Sequence, residues 1–400
     1  MKQNRFYFKW SVILFLVFAI SGITGCGIMI NKAKEIDLPD MPRPDIQKYL
    51  GIKKIKKMMR SGDDMPEEDM IEFKYWNNDA SKQINNLIYR YGNQTPPHYA
   101  VFEADHTIWN GNINEALLAY MESNKKISLK KIKKNFRIIP FNKNEGLYSY
   151  YLRLCDIDPK IGAQWCAQVF ADHSLKTIKP MVDKLFELTK PISVKLFQGN
   201  KLIEGSVMPP AMYPAQKELI NSLMQNGIDV FIVTSSLEEI VRMVVSDSKY
   251  GLRIPPERVI GVNVVLKAKD QNMLTTSRRQ IGMGQFFNKE YDGEMHNEMR
   301  LTNYLYTPAT WYGGKVASIL EYIHPIKKPV MAAGHSLNDQ FMLFHVNDLK
   351  YTLRLWVDHD KNQTEKIKSI IADYAEEQKM MELPITADKG WLYVSPDKLQ

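Results

Sequence analysis

The chain is 400 residues long, 44% hydrophobic and 11% aromatic, with a formal net charge of +8. That apolar content suits packed domains, one large or two of ordinary size, and excludes a disordered chain. Lys2, Arg5 and Lys9 carry part of the positive charge, and no basic stripe interleaved with aromatics follows, so no nucleic-acid partner is expected.

Residues 1–26 read as an export signal. A basic start precedes an apolar stretch from Trp10 to Ile20, and Ile23-Thr-Gly-Cys26 resembles a bacterial lipobox. The resemblance implies that Cys26 is lipidated and becomes the mature N-terminus. The alternative is an uncleaved membrane anchor, since Trp10 to Ile30 carries no charge and is long enough to span a bilayer. Both readings place the remainder at the bacterial cell envelope, facing the periplasm or the exterior. Residues 27–70 follow as a proline-stiffened tether, Leu38-Pro-Asp-Met-Pro-Arg-Pro44, then a basic stretch from Ile46 to Arg60 and the acidic run Asp63 to Asp69.

Ile71 to Tyr91 reads as a helix ended by Gly92, and Pro96-Pro97 leads into a short apolar strand, Tyr99 to Phe102. Just past it stand Glu103 and Asp105, then Thr107. Residues two apart on a strand share a face, so both carboxylates can leave the strand's carboxyl end toward one point, where open α/β sheets bind ligands. Such a pair serves a metal ion, or divides a nucleophile from a general acid. Asn112 to Ser123 has helical apolar spacing, and residues 128–190 continue as helices broken at Pro140, Pro159 and Pro180. The unit 113–199 is therefore expected as a helical insertion into a core made of 71–112 and 200–400. Cys155 and Cys166 lie within it. They form a disulfide if Pro159 turns the chain between them, and otherwise remain two buried thiols.

From Pro209 onward the pattern is α/β alternation. Pro214 to Gly227 reads as a helix and Ile228 to Val233 as a buried strand that ends in Thr234-Ser235-Ser236. Ser236-Leu-Glu-Glu239 has the capping-box pattern for a helix running to about Asp247. Hydroxyls at a strand end beside a helix start make an anion site. After a strand over Arg258 to Lys267, Gly313-Gly314-Lys315 opens a helix with Lys315 at its start, where a cation opposes the macrodipole unless an anion is near. Pro329 to Ala333 is a short strand, followed by Gly334-His-Ser-Leu-Asn-Asp339 and a helix over Gln340 to His345. A strand over Lys350 to Val357 and a charged helix over Lys361 to Met380 complete the series.

In order, Glu103-x-Asp105-x-Thr107, Thr234, Lys315 and Gly334-x-Ser336-x-x-Asp339 resemble the four motifs of the haloacid dehalogenase superfamily, mostly Mg2+-dependent phosphatases. The likeness covers roughly residues 71–357. It implies an α/β fold, a Rossmann-like core with a mostly parallel sheet, and an inserted helical cap. Leu154 to Pro159, Trp165 to Phe170, Val241 to Val244 with Tyr250 to Pro255, and Trp311 to Lys315 are similar to that superfamily's exported phosphorylcholine and phosphoserine phosphatase branch. The resemblance makes Glu103 the nucleophile and Asp105 the general acid and base. Thr234 and Ser235 would bind phosphoryl oxygens, Lys315 would neutralise charge, and Glu103, Asp105 and Asp339 would hold Mg2+. The implied substrate is a small phosphorylated metabolite, and the aromatic faces of Trp109, Trp165, Trp311 and Tyr312 suit either a quaternary ammonium or the core.

Two positions depart from the family. Glu103 stands where it carries Asp, and His335 replaces the first Asp of the fourth motif. An added methylene moves a carboxylate by on the order of 1 Å, a displacement that can cost about a hundredfold in rate. Imidazole lowers the site's negative charge and, as a ligand, suits Mn2+ or Zn2+ over Mg2+. Three readings follow: a phosphomonoesterase in which the changes compensate, an impaired relative that still binds a phosphorylated ligand, or a lipoprotein platform for a protein partner. Retention of Asp105, Thr234, Lys315 and Asp339 argues against the last.

Overall fold

The computed structural model describes residues 64–128, 132, 136–199, 201–268, 273–284, 298–306 and 309–400. The export signal, Cys26, and the tether and basic stretch up to residue 63 lie outside the described residues. In chain order the strands are β1 (Tyr99–Phe102), β2 (Trp109–Asn110), β3 (Ile192–Gln198), β4 (Lys201–Val207), β5 (Ala211–Met212) and β6 (Asp229–Leu237). They continue with β7 (Val259–Lys267), β8 (Leu274–Thr275), β9 (Arg300–Tyr306), β10 (Met331–Gly334), β11 (Leu353–Val357) and β12 (Trp391–Val394).

Alternation along β1 divides the molecule. Ala100 and Phe102 join one apolar cluster while Tyr99 and Val101 join another on the opposite face. A strand buried on both faces belongs inside a parallel sheet, and β1 sits there. The eight-stranded sheet has the order β12-β11-β10-β1-β6-β7-β8, with β9 also on β7. The strands from β12 to β7 run parallel, and β8 and β9 pair antiparallel with β7. The chain leaves β1 toward β6 and later returns to its other side as β10, so the crevice between them is a topological switch point. The register aligns Phe102 with Ile232 on one side and Ala333 on the other. Three carboxyl ends therefore open at one level.

Helices cover both faces. Asn78–Tyr91 presents Ala80, Ile84, Leu87, Ile88 and Tyr91 to the first cluster, a helical spacing. It begins seven residues later than the sequence suggests. Asn77 caps it by accepting from the Ala80 amide at 2.8 Å, and Asn85 bonds both the amide and carbonyl of Ile71 at 2.8 and 3.0 Å, which keeps that end out of the helix. Helix Lys361–Met380 buries Ile367 and Ile371 on the other face. Among the described residues no helix is long and apolar enough to cross a membrane.

The segment after β2 contains helices Ile113–Ser123, Leu147–Ile157, Pro159–Gln168 and Leu175–Glu187. It is not helical throughout. Ile192 and Val194 are buried, Ser193 and Lys195 exposed, and this period of two forms the β3–β4 hairpin, registered from Ile192 with Val207 to Gln198 with Lys201. The expected boundary at 199 thus falls at the hairpin's tip. Pro180 does not break its helix either; it lies inside Leu175–Glu187, carried by the buried face of Leu175, Ile178, Met181, Val182 and Leu185. Cys155 and Cys166 are both free thiols. Pro159 does turn the chain, but Cys155 meets Gly162, whose added Cβ would lie 2.2 Å from its Sγ, while Cys166 faces the Asn114 carbonyl at 3.8 Å.

Pro180 is exposed, so Pro180→Ala restores a helix amide and relieves the clash with the preceding turn without disturbing the core. We expect a gain of about 2 kcal/mol, the helix term of about 3 kcal/mol being offset by up to about 1 kcal/mol for a more flexible unfolded chain, read as a raised midpoint in denaturant unfolding.

Candidate active site

Glu103 and Asp105 follow β1 directly, and both are almost wholly buried. The Glu103 amide donates to the Ala333 carbonyl at 2.9 Å, extending the β1–β10 ladder by one bond and fixing the carboxylate over the switch point. Next door, the pairing of β6 with β7 is irregular between Val233 and Leu237. That irregularity re-aims Thr234, Ser235 and Ser236 toward the two acids.

Four donors surround the Glu103 carboxylate. Oε1 accepts from the Ala104 amide at 2.8 Å and from Thr234 Oγ1, while Oε2 accepts from Lys315 Nζ and, at 3.4 Å, from the Ser235 amide. Lys315 is fully buried. Its ammonium also donates to the Val233 carbonyl at 2.9 Å and pairs with Asp339 Oδ1 at 3.0 Å. Burial alone would lower its pKa, but Asp339 and Glu103 carry it above the ordinary lysine value. Burial pushes Glu103 up against the pull of Lys315, whereas at Asp339 the opposing pull of Lys315 and His335 outweighs burial and holds the carboxyl below its usual value.

Two glycines permit this. A Cβ on Gly314 would lie 1.8 Å from the Ala309 carbonyl oxygen, so only glycine lets the helix Gly313–Tyr322 start close enough to deliver Lys315. A Cβ on Gly334 would lie 2.6 Å from the Asp339 Cβ. Its absence lets Asp339 fold under the loop, where Oδ2 accepts from the His335 and Ser336 amides at 3.0 and 3.1 Å.

Asp105 has a different environment made of neutral donors. Oδ1 accepts from Trp109 Nε1 at 2.9 Å and from the Ile113 amide at 2.8 Å, and Oδ2 accepts from Ser236 Oγ. Burial, with the Glu103 charge added, outweighs these bonds and raises the carboxyl to about 7. The capping box expected at Ser236 does not form. Helix Glu238–Val245 has Leu237 at its cap with no side-chain bond, because the Ser236 hydroxyl is turned to Asp105 and Glu239 pairs with Arg242 at 2.6 Å.

His335 is where the fourth motif is expected, with Nδ1 3.3 Å from Thr107 Oγ1 and 3.6 Å from Asp339 Oδ2. It joins two histidines the sequence reading passed over. The His106 ring lies 4.0 Å from that of His359 and 5.1 Å from that of His335, centroid to centroid. Burial lowers all of them, His335 to about 4, so the imidazoles are neutral at physiological pH. Among the described residues, both carboxylate oxygens of Glu103 and of Asp105 and Oδ2 of Asp339 already accept from a protein donor, whereas Asp339 Oδ1 is buried without a hydrogen bond and faces the Lys315 ammonium at 3.0 Å. A hard cation needs several free carboxylate oxygens; of these three acids only Asp339 Oδ1 lacks a hydrogen bond, and the Lys315 ammonium already stands beside it, so the set as arranged does not fit one. Among the described residues no group of three His, Cys, Asp or Glu is set to hold a metal.

Beyond Asp105, the helix Ile113–Ser123 places Glu115 within one turn of Ile113, itself bonded to Asp105. Tyr151 and Tyr148 donate to Glu115 at 2.8 and 3.3 Å, and burial raises its carboxyl against them. Each Glu115 oxygen accepts from a tyrosine hydroxyl, and the carboxylate offers a cationic ligand group its charge rather than an aromatic face. Glu115 and its tyrosines were not singled out by sequence, because their meeting depends on how the helices pack. Of the aromatics that were, Trp109 and Trp165 are core residues; Lys160 lies over the Tyr312 ring at 4.7 Å, joining the inserted unit to the Lys315 loop.

No protein-family model matches the chain. A phosphorylcholine phosphatase of Pseudomonas aeruginosa is 38% identical over 334 residues, which cover 82% of this chain and 93% of that protein. Among solved structures, a conserved protein of unknown function from Anaerococcus prevotii has a TM-score of 0.51 at 16% identity, covering 76% of this chain and 92% of that one; this likeness concerns the fold. A phosphoserine phosphohydrolase-like protein from Francisella tularensis has a TM-score of 0.36 at 15% identity, covering 68% of this chain and 92% of that one.

A carboxyl held near 7 in the fold, against 3.8 ordinarily, keeps its proton after the unfolded chain has lost it. Stability is then full below about pH 4 and declines as pH rises toward 7, by on the order of 4 kcal/mol. In Asp105→Asn the amide oxygen keeps the Trp109 and Ile113 bonds, and we expect this decline to flatten. Denaturant unfolding at pH 5 and pH 7.5, with natural sequence and variant side by side, measures the difference.

Proposed function

Because the chain belongs to the phosphorylcholine phosphatase family, we propose that it hydrolyses phosphomonoesters of small cationic metabolites, phosphorylcholine among them. The observation that carries this is the meeting of two differently tuned carboxylates, Glu103 and Asp105, with Thr234, Ser235 and Lys315 at one sheet switch point. Glu103 Oε2 attacks phosphorus, and the bond from phosphorus to the alcohol oxygen breaks. Asp105, protonated near neutral pH, gives its proton to the departing alcohol. In the second half, water attacks the phosphorus of the acyl-phosphate, Asp105 takes the water's proton, and phosphate leaves with Glu103 restored. Thr234, the Ser235 amide and Lys315 hold the charge that builds on the phosphoryl oxygens. The cationic end of the substrate lies against Glu115, Tyr148 and Tyr151.

Residues 1–26 support placement at the cell envelope through a lipid on Cys26. Mg2+, which the superfamily resemblance implies, would meet carboxylates already engaged by the protein, and no step here is assigned to it.

Phosphate release from a panel of phosphomonoesters tests the reading, run with EDTA and with Mg2+, Mn2+ or Zn2+. Turnover by the natural sequence is expected, with Glu103→Gln lowering it on the order of a thousandfold or more. Silence under every condition sinks the hydrolase. Glu115→Gln is expected to raise KM for phosphorylcholine about tenfold, the worth of about 1.4 kcal/mol, and to leave KM for a neutral ester such as p-nitrophenyl phosphate unchanged. Metabolic labelling with a fatty-acid analogue should mark the natural chain and not Cys26→Ala; equal labelling removes the lipid anchor from the proposal.

A further inference from the structure

The donors suited to a phosphoryl group are already occupied, and their occupant belongs to the chain. The Thr234 hydroxyl, the Ser235 amide and the Lys315 ammonium all point at Glu103, joined by the Ala104 amide. The Thr234 hydroxyl oxygen accepts from the Ser236 amide at 3.2 Å, so its proton is directed to Glu103. Four donors and, among the described residues, no hydrogen-bonded acceptor around a buried carboxyl are the surroundings of an ionised one, whose two oxygens present much of the charge and spacing of two phosphoryl oxygens.

We propose that Glu103 is the resident ligand of the oxyanion cradle, so that a phosphomonoester or free phosphate enters only by displacing it, and the length of residue 103 sets the affinity. This rests on the reading of the cradle as the phosphoryl site. An aspartate there would be shorter by on the order of 1 Å and would stop short of Thr234 and Lys315, leaving them to an external anion. Glutamate reaches both. A tethered carboxylate competes at the high effective concentration of any intramolecular group, and only an anion with more charge and more oxygens prevails. The resting site is thereby closed to weak monoanions such as acetate or chloride. When phosphate enters, Glu103 is released beside the phosphorus rather than bonded to Lys315, so the displacement that admits substrate also frees the attacking oxygen.

The test is binding of inorganic phosphate to the full chain by isothermal titration calorimetry, for the natural sequence, Glu103→Asp, Glu103→Ala and Glu103→Ala with Thr234→Val. The Ala and Asp variants should bind phosphate at least tenfold more tightly than the natural chain, and Thr234→Val should remove most of that gain. Phosphate should also raise the melting temperature of each variant more than that of the natural chain, which shows that the variants are folded and that the ion binds the fold. Equal or weaker phosphate binding by both folded Glu103 variants overturns the proposal. The two readings fail separately. A silent natural enzyme with phosphate-tight Glu103→Ala removes the hydrolase and leaves the occupied cradle standing, while turnover with unchanged phosphate affinity does the reverse.

Discussion

A buried ammonium has to be answered by anions, and the site is assembled around that demand. Lys315 has no exposed surface, and an unpaired charge at such depth costs several kcal/mol. Its neutralisation draws Glu103 from the end of β1 and Asp339 from the loop after β10. Close approach at Gly314 and Gly334 is what allows all three to meet. The level carboxyl ends of β1, β6 and β10, fixed by strand register, bring Thr234 to the same point. Sheet topology, glycine placement and electrostatics thus support one another.

The two neighbouring carboxylates show how small changes of surroundings divide labour. Glu103 faces a cation, while Asp105 faces an indole, an amide and a hydroxyl. Burial raises both carboxyls, but at Glu103 it is opposed by the Lys315 ammonium and at Asp105 only by neutral donors, a difference of surroundings of the kind by which acid and nucleophile are told apart. The stretches similar to the phosphatase branch build the frame behind them. Tyr250 donates to Asp183 at 2.6 Å, and Phe186 lies edge-on between the Tyr250 and Trp109 rings, with centroids at 5.1 and 5.6 Å. The indole that holds Asp105 is thus braced by the inserted helical unit.

Periodicity made the parallel core legible: β1, β7 and helix Lys361–Met380 lie within a residue or two of where apolar spacing puts them. The four motif positions meet as their order implies. Local rules failed where a tertiary partner outbid them. Ser236 fits a helix cap by sequence, yet a buried carboxylate across the crevice is the stronger acceptor. Pro180 has the mark of a helix end, but five buried apolar side chains hold the helix through it. The β3–β4 hairpin carried its alternation openly in Ile192-Ser-Val-Lys195 and was hidden by the helical run before it. His106, His335 and His359 could not be linked by spacing, since only the fold brings 106 beside 335 and 359.

The two departures from the family pattern belong together. Glu103 reaches the cradle and pairs with Lys315, which leaves Lys315, Glu103 and Asp339 with one net negative charge in a buried space. An aspartate at 335 would add a second, close to Asp339, whose Oδ2 lies only 3.6 Å from the His335 ring nitrogen. Two like charges at that range repel strongly when desolvated unless a cation lies between them. A neutral imidazole removes the repulsion and keeps a polar contact with Thr107 at 3.3 Å. Lengthening at 103 and neutralisation at 335 therefore act as one electrostatic adjustment: the first turns a carboxylate toward the lysine, and the second lets the opposite side of the crevice stand with one carboxylate instead of two.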